Sequence, residues 1–144
     1  MCIRDSIGAG YITKQMTISY NPTDNEKSTL LNISRSTGFH RSVSIQKLDD
    51  YGNTENIHKL DFVKCDVEGY EYHALVGMEE LLRKFLPKIS LEISVPKAER
   101  LRIILLLQQI GYTKFYKIEK NFPVYCPKVD DEPDGSYFYL YASN

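Results

Sequence analysis

The segment LDFVKCDVEGYEYHALVGMEELL, Leu60 to Leu82, decides how this chain is to be read. It opens with Leu60, Phe62, Val63, Cys65 and Val67, a nearly continuous apolar run, as expected of a strand covered on both faces. Two carboxylates, Asp66 and Glu68, interrupt its end; Gly69 follows, and a third carboxylate, Glu71, comes soon after. Beyond Gly69 the apolar residues Ala74, Leu75, Met78, Leu81, Leu82 and Phe85 recur at helical spacing, with Glu79, Glu80, Arg83 and Lys84 on the other face. Pro87 stops the helix.

Outward from this segment the rhythm continues. KISLEI, Lys88 to Ile93, reads as a second strand. Pro96 suits the first turn of a helix that runs to Gly111, a fitting C-terminal cap. YTKFYKI, Tyr112 to Ile118, reads as a third strand. PKVDDEPDGS is a loop with an Asp134-Gly135 turn, and YFYLYA, Tyr137 to Ala142, is an aromatic-rich final strand. Two successive βαβ units imply parallel strands with right-handed crossovers. The expected fold is therefore α/β: a doubly wound, mostly parallel sheet with a final antiparallel strand. Ser42 to Tyr51 looks like a strand leading into a turn, and residues 19 to 41, rich in Ser, Thr and Asn, like loop or hairpin. No internal repeat and no second domain is visible.

The bulk numbers bound the function classes. A chain of 144 residues fits one ordinary domain, and 42% hydrophobic with 26% charged residues is a globular composition. Eighteen basic and nineteen acidic residues leave a formal charge of −1, which gives no general attraction to nucleic acid or anionic lipid. The longest strongly apolar run, Ile103 to Leu107, is far too short to span a membrane. Cys2, Cys65 and Cys126 are scattered, with no CxxC and no Cys/His pair at metal-ligand spacing, so a reduced cytoplasmic chain without a cysteine metal site is expected.

In open α/β sheets, ligands bind outside the carboxyl ends of the strands. Asp66 and Glu68 stand at the end of the first parallel strand and Glu92 near the end of the next, so neighbouring strands would turn all three toward one crevice. A carboxylate there can deprotonate a hydroxyl, hold a cation or orient a cationic cofactor. Glu68 and Glu71 also suit the first turn of a helix, whose free amides and dipole favour negative charge. His73 can face the crevice but reads more simply as a surface or core histidine, and Cys65 as a small buried hydrophobe.

Taken together, KLDDY, the segment from Leu60, PKISLEI and IGY resemble the C-terminal half of FkbM-family methyltransferases. The family pattern falls here on Leu48 to Asp50, on the Asp-x-Glu-Gly-x-Glu element from Asp66 to Glu71, on Gly77, and on Leu91 to Ile93, over roughly residues 43–118. The resemblance implies a Rossmann-like class I fold and transfer of a methyl group from S-adenosylmethionine, usually to a hydroxyl of a sugar, polyketide or other small molecule. It makes Asp66 the base or the orienting group, with Glu68 assisting or contacting the cofactor's amino group and Glu92 shaping the acceptor side. No metal is expected, and no nucleic-acid or membrane partner.

The same family holds its cofactor with a glycine-rich loop after the first strand. The candidate here, IGAGYI from Ile7 to Ile12, follows no apolar strand, so the cofactor-binding residues stay unassigned. MCIRDS, residues 1–6, resembles a translated adaptor artefact, leaving 7–144 as a partial methyltransferase domain. On that expectation the strand from Leu60 has a bare, apolar outer edge that invites pairing with another chain. Two other readings of the residues stand beside this one. Asp66-Val67-Glu68 also looks like the metal-binding element of nucleotide-sugar glycosyltransferases, and the chain can equally be a non-catalytic remnant.

Overall fold

A computed structural model describes residues 7–21, 24–29, 39–119, 122–126 and 138–144. The chain forms β1 (Ile7–Gly10), β2 (Lys14–Asn21), β3 (Asp24–Thr29), β4 (Phe39–Lys47), α1 (Leu48–Thr54), β5 (Phe62–Cys65), α2 (Glu71–Val76), α3 (Glu79–Phe85), β6 (Lys88–Ile93), α4 (Lys97–Ile110), β7 (Lys114–Glu119), β8 (Phe122–Tyr125) and β9 (Phe138–Ser143). These strands build two sheets, one of order β1-β4-β2-β3 and one of order β5-β6-β9-β7-β8.

The expected doubly wound, mostly parallel sheet is not what forms. Five of the seven described strand pairings are antiparallel, and only β5/β6 and β1/β4 run parallel. The physical reason lies in two places. β9 returns from the far end of the chain and inserts antiparallel between β6 and β7, so the crossover through α4 joins strands that are not neighbours. The N-terminal residues, meanwhile, fold into meander-like pairings of β2 with β3 and β4 instead of strand-helix units. The first crossover does behave as βαβ: β5 and β6 pair in parallel, with Cys65 opposite Leu91.

Alternation divides the five-stranded sheet into two faces. Cys65, Ile89, Leu91, Ile93, Phe115, Leu140 and Ala142 all point to one side, where they meet Leu75 and Leu82 of α2 and α3 and Ile103 and Leu107 of α4. Ile89, Leu91 and Ile93 are fully buried, each stabilising by about 1.5–3 kcal/mol. Along α4 the buried Ile103, Ile104, Leu106, Leu107 and Ile110 form the apolar stripe, and Gly111 closes the helix at φ +130°. The opposite face carries Lys64, Ser90, Glu92, Tyr139, Tyr141 and Tyr116, none of which belongs to the core cluster.

The single helix expected after Gly69 is broken into α2 and α3 at Gly77 and Met78. The break has a cause. A Cβ on Gly77 would overlap the backbone carbonyl of Gly10, so the helix lies directly on β1, and the Gly77 carbonyl accepts from the Asp49 amide at 2.9 Å. The glycines of IGAGYI serve packing as well: Gly8 and Gly10 lie in β1, paired with β4, where a Cβ would meet the Ile45 side chain. The expected Asp134-Gly135 turn and residues 1–6 lie outside the described residues.

Candidate functional site

The turn from β5 into α2 is held in an uncommon shape. Glu68 and Gly69 are consecutive left-handed residues, at φ +53° and +89°. Glycine adopts that conformation freely, whereas a glutamate does so at a cost of about 1–2 kcal/mol. Glu71 offsets that cost. Its side chain is completely buried, and Oε1 accepts from the amides of Val67 and Gly69, both at 3.1 Å. The third carboxylate of the motif is thus the brace of the turn, tying down amides that would otherwise be unsatisfied.

With the turn braced, the other carboxylates converge. Oxygen atoms of Asp66, Glu68 and Glu92 all lie within 4.8 Å of one another. The three residues named from the sequence are brought together as the parallel β5/β6 register requires, since Asp66 continues β5 beside Glu92 of β6. Their exposures differ: Glu68 is exposed, Asp66 half-buried, and Glu92 only 8% exposed. The hydrogen bond with Glu92, and then the Lys64 ammonium at 2.8 Å, hold the Asp66 carboxyl below the usual carboxylate range.

Three oxygens at this separation could hold a divalent cation, and Lys64 is the competing source of positive charge already present. Beside the cluster a cleft of about 640 Å³ opens between the sheets, walled by Ala9 of β1, Leu48 and Tyr51 of α1, Val63 of β5 and Met78, with Asp66 on its rim. That volume lies within the usual range for small-molecule pockets. β5 forms the edge of its sheet, with β6 as its described partner, and Phe62 is 53% exposed.

Other residues of the motif region resolve into structural roles. Cys65 is buried, and burial followed by the nearby Glu71 charge pushes its thiol up to about 12, which removes it as a nucleophile at neutral pH. His73 stays out of the crevice: it stacks on Tyr70 at 4.5 Å between centroids and meets Tyr11 at 5.1 Å and Tyr72 at 5.7 Å. Burial holds its pKa below the ordinary histidine value. Asp49, buried in the Leu48–Asp50 element, accepts from the Glu80 and Leu81 amides at 3.2 and 3.0 Å and so anchors the start of α3.

Two participants escape a reading of the sequence. Lys64 is hidden inside an apolar run, although its place two residues before Asp66 puts it on the same strand face. Tyr139 stands directly across from Glu92 through the β6/β9 register, a neighbour visible only once β9 is known to insert there. A family model described as Methyltransferase FkbM domain matches residues 7–114. No curated protein and no solved structure matches the chain. The family model covers well over half of the sequence, including the braced turn and the carboxylate cluster, and the chain belongs to the FkbM methyltransferase domain family.

Proposed function

We propose that the chain carries the acceptor side of an S-adenosylmethionine-dependent O-methyltransferase whose acceptor is a hydroxyl of a small molecule or glycan. The observation that carries this is the convergence of Asp66, Glu68 and Glu92, with Asp66 lining a cleft, in a chain of a methyltransferase family. S-adenosylmethionine supplies an activated methyl on a sulfonium centre. The protein then has to align the acceptor oxygen and accommodate its proton. Asp66, kept ionised by Glu92 and Lys64, is a weak base and a strong hydrogen-bond acceptor. Its role is to orient the hydroxyl and take up its proton as the oxygen becomes bonded to carbon. Glu68 is exposed beside Asp66 in the same cluster and offers a carboxylate to the cofactor's amino group.

The fit to the cofactor is partial. The glycines of β1 lie in a strand paired with β4 and pack on Ile45, and not in a turn that would wrap a ligand. The cleft volume and the acidic rim do suit a cationic, hydroxylated molecule. Among the described residues no helix is long and apolar enough to cross a membrane. The glycosyltransferase alternative draws support only from the carboxylates and their capacity for a cation. The test is methyl transfer from labelled S-adenosylmethionine to a panel of hydroxylated acceptors. Asp66→Asn should lower turnover by at least about 100-fold with the fold retained. Near-normal turnover in that variant would remove Asp66 from the reaction, and turnover that requires a nucleotide sugar and a divalent cation would favour the other chemistry.

A further inference from the structure

The face of the five-stranded sheet that is turned away from the helices carries an ordered row of tyrosines. Register places Ser90, Tyr141, Tyr116 and Tyr125 in line across β6, β9, β7 and β8. The adjacent line on the same face begins with Glu92 and Tyr139. Tyr116 sits between its neighbours, with ring centroids 5.6 Å from Tyr125 and 5.7 Å from Tyr141 at interplanar angles of 63° and 60°. Tyr125 is 57% exposed, and Tyr116, Tyr139 and Tyr141 are half-buried. At ordinary strand spacing the line from β6 to β8 runs about 14 Å.

We propose that this row is a docking strip for a neutral saccharide, and that it leads a sugar hydroxyl to the Asp66–Glu92 pair. The proposal rests on the methyl-transfer reading and adds to it the place where an acceptor of several sugar rings would lie. Three features of the row select that chemistry. Tyrosines tilted by about 60° to one another leave no parallel slot for a flat base, whereas aromatic surface and phenol hydroxyls set side by side suit the apolar C–H face and the hydroxyls of a pyranose. The row ends at three clustered carboxylates, which repel a polyanion such as a nucleic acid and accept hydrogen bonds from sugar hydroxyls. The strip is also continuous with the site, because Glu92 and Tyr139 are direct cross-strand neighbours.

The experiment is saturation-transfer NMR on the full chain with neutral tri- and tetrasaccharides of glucose, galactose, mannose and rhamnose, with adenosine as the competing flat ligand. At least one saccharide should receive saturation at its ring C–H protons. Tyr125→Ala and Tyr141→Ala should each weaken that binding by about five-fold or more, and Tyr125→Phe should retain most of it. Tyr11→Ala, in the bend between β1 and β2, should leave it unchanged. The proposal is overturned if no saccharide binds, if adenosine binds in their place, or if binding survives the Tyr125→Ala/Tyr141→Ala pair. Because the readout needs no cofactor, saccharide binding without methyl transfer would leave the strip standing and remove the reaction. Methyl transfer indifferent to the tyrosine variants would do the reverse.

Discussion

Two sets of carboxylates around the turn from β5 into α2 do opposite things. Glu71 and Asp49 each face backbone amides: Val67 and Gly69 for the first, Glu80 and Leu81 for the second. Asp66, Glu68 and Glu92 face one another, with Lys64 as the nearby cation and an open cleft alongside. A carboxylate consumed by amides is part of the scaffold. A carboxylate gathered against its own kind costs electrostatic energy, and such a cost is retained where the site has a use for it. The family's acidic motif thus contains both kinds in six residues, and Glu71 holds the strained turn that lets Asp66 and Glu68 meet Glu92.

The sharpest way to break this comparison is through activity. Asp66→Asn should cost two orders of magnitude or more in methyl transfer, whereas Glu71→Gln, which keeps an acceptor toward the Val67 and Gly69 amides, should cost much less once folded. Next in size is the packing beneath the turn. Gly77→Val forces a side chain against the Gly10 carbonyl and should destabilise the chain by about 3 kcal/mol in denaturant unfolding. A variant as stable as the parent would show that α2 does not rest on β1. Removing the helix-start anchor with Asp49→Ala should cost about 1–2 kcal/mol, because two amides of α3 lose their partner.

The smallest effects are in pH. The folded pKa of His73 is lowered, so its contribution is fully present above about pH 6.5 and is lost as the pH falls through the folded value. Acidification should therefore loosen the contact of Tyr11 with α2, an effect visible in Tyr11 ring chemical shifts and absent in His73→Phe. The folded pKa of Asp66 is lowered too, so its contribution is present above about pH 4 and is lost only under stronger acid. Loss of Asp66-dependent structure already near neutral pH would contradict that ordering.

Much of the site was legible from the sequence because it is local. The strand ending at Cys65, the acidic turn and Glu92, one residue before the end of KISLEI, follow from a single βαβ unit, and that unit forms. What was not legible depends on distant returns of the chain. Nothing in YFYLYA announces that β9 will wedge between β6 and β7, yet that insertion makes the sheet mixed and brings Tyr139 to Glu92. The glycines of IGAGYI suggest a ligand loop by pattern, but they answer the bulk of Ile45 and the approach of Gly77. Likewise the regular apolar spacing through Gly77 hides the break between α2 and α3, whose cause is a contact with β1 far away in sequence.

The measurement that tests the division of carboxylates most directly is equilibrium urea unfolding of the parent chain, Glu71→Ala and Asp66→Asn at pH 7. Two stranded amides should make Glu71→Ala about 2 kcal/mol less stable. Asp66→Asn, which gives up only the partly exposed Lys64 ion pair, should cost at most about 1 kcal/mol. The reverse order, with Asp66→Asn the more damaging, would make Asp66 a scaffold residue and contradict the account.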